Sequence, residues 1–199
     1  MTAAPSLKIP VLIVERLLRI NTLTCHKMIL AAIFFKDWGI VMVHVPFARK
    51  ASKDNTFLFL GGIKASFLVD GADTQGQYAV VQMEERKGLE PPPHIHTRED
   101  EAFYVLEGEV TYYVGDEAID ASPGTYVYAP SGIQHTFSLK TEQAKVLVFA
   151  YPSGFENFVK ELSVPLPEHM PPVPIGPPSP EDVQKLNSIA AQYGIEIQV

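Results

Sequence analysis

Pro91-Pro92-Pro93-His94-Ile95-His96-Thr97-Arg98-Glu99-Asp100-Glu101 is the stretch around which this chain organises itself. Its prolines keep the backbone extended, because a residue before proline is driven out of the helical region. Extended chain alternates its side chains, so His94 and His96 point one way and Ile95 the other. Two imidazoles aimed at a common point can share a metal ion. The acids Glu99, Asp100 and Glu101 follow within reach of such a cation. A further imidazole, His135, comes just after the turn Pro130-Ser131-Gly132. Three imidazoles and one carboxylate suit Fe, Mn, Ni, Co or Zn, and suit Ca or Mg poorly.

Around this stretch the chain alternates in short runs. Ile63 to Val69, Tyr78 to Met83, Ala102 to Leu106, Val110 to Val114, Thr125 to Ala129, Thr136 to Leu139 and Lys145 to Tyr151 are rich in Val, Tyr, Phe and Ile. Asp70-Gly71, Gly108, Gly115-Asp116, Ser122-Pro123-Gly124 and Ser131-Gly132 separate them. Closely spaced short strands of this kind predict an all-β sandwich or barrel over residues 54–152.

Residues 153–199 read differently. Phe155, Phe158 and Leu162 recur at helical spacing, which predicts a short helix. Eight prolines between residues 165 and 180 forbid regular structure and favour an extended strap. A final helix starts at Ser179 as N-cap, with Pro180 in the first helical position and Glu181 and Asp182 at the positive dipole end. Val183, Leu186, Ile189 and Ala190 form its apolar face, and Gly194 is its stop.

Residues 1–53 carry eight basic and two acidic side chains, while the remainder carries a net charge of −13 within a total of −7. This basic, apolar segment is read as an N-terminal extension, dispensable for the barrel through residue 41. It is either an organelle leader or sequence ahead of a natural start at Met42. Its longest apolar run, Met28 to Phe35, is far short of the about 20 residues a membrane span needs. The net acidity argues against a general nucleic-acid partner. A lone cysteine, Cys25, rules out an internal disulfide and a Cys-rich zinc site, and it suits a reducing, cytoplasmic compartment.

Two spacings resemble a known family. Gly88-x5-His94-x-His96-x4-Glu101-x6-Gly108 is similar to the first cupin motif, and Gly124-x5-Pro130-x-Gly132-x2-His135 to the second. The second motif usually ends in Asn where this chain has Leu139. Gly71-Ala72-Asp73-Thr74, the segment Glu99 to Gly108, and Tyr151-Pro152-Ser153-Gly154-Phe155-Glu156 are similar to small quercetin dioxygenase-like cupins. The resemblance implies a double-stranded β-helix, or jelly roll, with short C-terminal helices. It implies one divalent transition metal per chain, held by His94, His96, Glu101 and His135. It leaves Glu99 outside the site as a solvated charge.

The activity so implied is oxidative cleavage of a flavonol-like or other enol-bearing aromatic by O2, with Glu101 as ligand and proton acceptor. An isomerase or lyase using the same metal, or a non-catalytic small-molecule binder, are the alternatives. Strand alternation from Glu101 and His135 places Phe103, Val105 and Phe137 on the substrate side. A homodimer is expected, since many cupins pair and the N-terminal segment is apolar.

Overall fold

The computed structural model describes residues 46–173, 176 and 178–198. The expectations about residues 1–41 and about Met42 lie outside the described residues. Of the segment read as an extension, residues 46–53 are described. There Arg49 donates to the Leu68 carbonyl at 3.0 Å and forms an ion pair with Asp73 at 2.7 Å.

In chain order the elements are β1 (Thr56–Phe59), β2 (Ile63–Val69), β3 (Ala79–Arg86), β4 (His94–His96), β5 (Asp100–Glu107), β6 (Val110–Val114), β7 (Glu117–Ala121), β8 (Tyr126–Ala129), β9 (His135–Leu139), β10 (Gln143–Tyr151), α1 (Phe155–Glu161), β11 (Ser163–Pro165), α2 (Pro180–Gln192) and β12 (Ile195–Ile197). A seven-stranded sheet runs β11-β1-β2-β3-β10-β5-β8, and a five-stranded sheet runs β12-β4-β9-β6-β7. Every pairing within them is antiparallel. The architecture is all-β, a jelly roll with two short helices.

Alternation decides what each sheet buries. Along β10, Ala144, Val146, Val148 and Ala150 are buried while their neighbours are partly or fully exposed. Val81, Met83, Phe103, Val105, Val110, Tyr112 and Leu139 join the same core. Each such side chain contributes about 1.5–3 kcal/mol by leaving water. Leu139, at the usual Asn position of the second motif, is one of these core residues, only 4% exposed. Its apolar side chain therefore serves the barrel interior. Gly108 closes the β5–β6 turn at φ 83°, and a Cβ there would lie 2.5 Å from the Gln143 carbonyl oxygen. Only glycine meets both conditions.

The predicted final helix is present as α2. The Ser179 hydroxyl accepts from the Asp182 backbone N–H, and Pro180 opens the helix. Ala190 is buried, and Leu186 and Ile189 lie against the core. Gly194 ends it at φ 77° and turns the chain into β12, a strand that alternation could not reveal in three residues. β1, β7 and β11 were equally silent. Glu117-Ala118-Ile119-Asp120-Ala121 has a single β-branched residue, and β11 holds a proline, Pro165. Within the proline-rich stretch, the Pro171 carbonyl accepts from Arg86 of β3 at 2.8 Å.

Candidate metal centre

β4 and β9 are neighbours, and their one register pair is His94 with His135. β12 flanks β4 on its other side, with Ile195 opposite His96 and Ile197 opposite His94. The three imidazoles thus come from one sheet. Glu101 comes from the other, on β5, between Ala150 of β10 and Ala129 of β8. One donor atom from each of His94, His96, Glu101 and His135 lies within 4.8 Å of all the others. Glu101 Oε2 is 3.0 Å from His135 Nε2 and 3.6 Å from His96 Nε2. The alternation expected of His-x-His brings both imidazoles to this point.

The backbone selects which nitrogen each ring presents. His94 Nδ1 meets the Pro92 carbonyl at 2.9 Å, and His135 Nδ1 meets the Ile133 carbonyl at 3.2 Å. A carbonyl can only accept, so each Nδ1 carries the proton and each Nε2 keeps its lone pair for the cluster. Burial, together with His135 and His96, pulls His94 down to about 4. Burial opposes ionisation of Glu101, but the surrounding imidazoles outweigh it and hold the carboxyl down at about 2. Burial lowers His96 as well, and Glu101 and Glu99 overcome this and raise it.

His96 Nε2 and Glu101 Oε1 are buried without a hydrogen-bond partner. Buried polar atoms in that condition are costly, by about 1–3 kcal/mol each. A cation bound by His96 Nε2 and Glu101 Oε2 would relieve that cost at the imidazole and leave Oε1 to a ligand. The group therefore fits a divalent metal of the imidazole–carboxylate preference.

Glu99 is not a solvated charge. It is 2% exposed, and its Oε1 faces His96 Nδ1 at 3.5 Å. The reason is local: residues 97 and 98 form a bend and residue 99 is outside any strand, so alternation does not carry past His96, and the chain folds Glu99 back behind that ring. A carboxylate behind a ligating imidazole orients the ring and raises its basicity. Glu99→Ala is therefore expected to weaken metal binding by about 10–100-fold, with Glu99→Gln between it and wild type. Co(II) titration monitored by its visible absorption checks this. Unchanged affinity in Glu99→Ala would remove the carboxylate from any such role.

The cluster opens on a cavity of about 160 Å³. Phe59, Phe103, Phe137, Phe155 and Phe158 give it aromatic walls, and Leu186, Ile195 and Ile197 bring in the C-terminal helix and strand. Phe155 lies 5.6 Å from the His96 ring, centroid to centroid, and Phe103 stacks on Tyr112 at 4.7 Å. Phe103 and Phe137 thus face the cavity, but Val105 does not. It is wholly buried, because one step further along β5 the interior is filled by core side chains. Sequence reasoning missed the C-terminal contribution, since nothing in Ile195-Glu196-Ile197 says which strand it will join. It also missed Glu85, although alternation with Val81 and Met83 on β3 was a legible signal.

A two-sheet β-barrel with three imidazoles from one sheet and a carboxylate from the other defines a jelly-roll class with an interior His/Glu site. Residues 81–151, which contain all four of these side chains, match the family model described as Cupin domain. It is 32% identical over 98 residues to the quercetin 2,3-dioxygenase of Bacillus subtilis, covering 49% of this chain and 29% of that protein. It is 35% identical over 60 residues to an uncharacterised protein of Streptomyces coelicolor, covering 30% of this chain and 54% of that one. Thus it spans well under two thirds of either curated relative. Among solved structures, a RmlC-like cupin from Shewanella frigidimarina matches with a TM-score of 0.46 and 20% identity, over 58% of this chain and 96% of that one. Among the described residues, no helix is long and apolar enough to cross a membrane.

Proposed function

We propose that this barrel is a metal-dependent dioxygenase that cleaves a flavonol-like or other enol-bearing aromatic substrate with O2. The observation that carries the reading is the placement of His94, His96, Glu101 and His135 at the wall of an aromatic-lined cavity. The local likeness to a quercetin 2,3-dioxygenase supports it. A divalent transition metal held by these four side chains would supply Lewis acidity toward a substrate oxygen and, if redox-active, electron transfer with O2.

The chain's own residues do the rest. Glu101 is ionised, and its Oε1 has no hydrogen-bond partner among the described residues, so that atom is the one available to take the proton of a substrate hydroxyl. Phe103, Phe137 and Phe155 flank the reacting ring and limit water around it. His94 and His135, fixed through their Nδ1 hydrogens, hold their shape throughout.

The test is oxygen uptake by the metal-reconstituted full chain, screened against flavonols and simpler aromatic enols. Uptake with matching loss of the substrate's near-ultraviolet absorption is expected. Turnover of an aromatic enol without oxygen consumption would move the reading to an isomerase or lyase. Binding without turnover would move it to a small-molecule carrier or sensor.

A further inference from the structure

β3 turns Val81, Met83 and Glu85 inward and sends Gln82, Glu84 and Arg86 outward. Glu84 has an outside partner, Lys64 at 2.9 Å, and Arg86 has the Pro171 carbonyl. Glu85 has no such partner among the described residues and faces the cavity instead. It is only 7% exposed, lines the aromatic cavity, and makes no hydrogen bond among the described residues. Yet a buried carboxyl without a partner is rare, because its desolvation is uncompensated. An apolar residue there would stabilise the barrel more, so its retention in a cavity wall points to a ligand.

Its position is well defined. Glu85 and Glu101 both flank β10, opposite Ala144 and Ala150 respectively. Six residues of extended chain correspond to about 20 Å. Glu90 marks the same far end: its Oε1 accepts from the Leu139 N–H, at the opposite end of β9 from His135. Glu90 Oε2 accepts from the Gly88 N–H, so Glu90 is satisfied within the protein. The cavity thus has a polar group at each end and aromatic rings between.

We propose that Glu85 is a specificity-determining residue that hydrogen-bonds an oxygen at the distal end of the ligand whose enol or phenol end lies at Glu101. The ligand class is an elongated, mainly apolar aromatic with a hydroxyl or carbonyl oxygen remote from its enol. This rests on the cavity being the substrate site. Burial, reinforced by the Glu90 charge, pushes the Glu85 carboxyl up to about 8. It is therefore neutral at pH 7, and it donates its O–H to a ligand oxygen rather than attracting a cation. The titratable groups facing it are Glu90 and, from β6, Tyr112, whose hydroxyl is pushed up by burial and then by Glu85 and Glu101. Its β10 neighbour is Ala144, and the Lys64–Glu84 pair lies on the outer face.

The experiment compares two probes, 3-hydroxyflavone and its 4′-hydroxy derivative, binding anaerobically to the Co(II)-loaded full chain. Wild type is expected to prefer the hydroxylated probe by about tenfold, the worth of one good neutral hydrogen bond. Glu85→Leu is expected to erase that preference while binding the unsubstituted probe at least as well. Glu85→Gln, which still donates, should retain most of it. A merely structural carboxyl would shift both probes together.

Stability supplies an independent readout. A raised carboxyl pKa costs stability as pH rises from about 4.5 toward 8, since the unfolded chain ionises first. Glu85→Gln should then melt higher than wild type at pH 8 and alike at pH 4.5. An unchanged probe preference in Glu85→Leu, with both probes still dependent on His96, would overturn the assignment and leave the cavity reading standing. Failure of wild type to bind either probe would overturn the aromatic-substrate reading, and this assignment with it. A melting difference equal at both pH values would show that Glu85 is not neutral, which also overturns it.

Discussion

His96→Ala is expected to lose metal binding almost entirely at concentrations that saturate wild type. His96 is 1% exposed, and its Nε2 is a donor of the cluster buried without a hydrogen-bond partner among the described residues. Alanine removes that donor and leaves a void beside Phe155. The loss should exceed the about 10–100-fold typical of outer-sphere changes such as Glu99→Ala. His169→Ala is the control. That histidine is exposed in the proline-rich segment, outside the cluster, and its removal should leave metal content unchanged. Metal analysis after gel filtration, with circular dichroism to confirm that the barrel persists, reads the difference. Equal metal content in the two variants would place the site elsewhere.

The second large effect is on rate. Glu101→Gln is expected to keep a substantial share of its metal and to lose at least about a hundredfold in turnover, within the about 10²–10⁴-fold that general-base participation is worth. The geometry explains the split. The amide oxygen can take the place of Oε2, 3.0 Å from His135 Nε2, and remain a donor to the metal. The amide nitrogen then occupies the place of Oε1, the atom that has no hydrogen-bond partner among the described residues. There it offers hydrogens where the substrate hydroxyl needs an acceptor. Oxygen uptake and metal content measured on the same preparation separate the two functions. A metal-loaded Glu101→Gln protein with near-normal turnover would take Glu101 out of proton transfer and leave it a ligand alone.

Much of this is legible in the amino-acid sequence. The alternating runs from Ile63 to Tyr151 correspond to strands because each has one face that must leave water, and period two makes that visible. His94 and His96 could be paired because strand geometry is local. The α2 start was legible in Ser179 and Pro180 because a cap bonds only two or three residues ahead. The cavity wall was only partly legible: Phe103 and Phe137 border the cavity, while Val105, on the same face of β5 as Phe103, ends in the core. Which inward-facing residues border empty space is a property of the whole barrel, not of a strand.

The sequence by itself determined the class of fold and the capped terminal helix, through periodicity and short-range bonding, and it offered the candidate metal-binding side chains through the resemblance of two spacings to the cupin motifs. Tertiary structure alone decided that Glu99 lies buried behind His96, because a bend broke the alternation. It alone seated β12 against β4, so that the last strand of the chain supports the first histidines of the site. It also left Glu85 unpartnered in the cavity wall. Each of these depends on which distant segment comes to lie alongside, and backbone pairing across about a hundred residues leaves no trace in a three-residue strand.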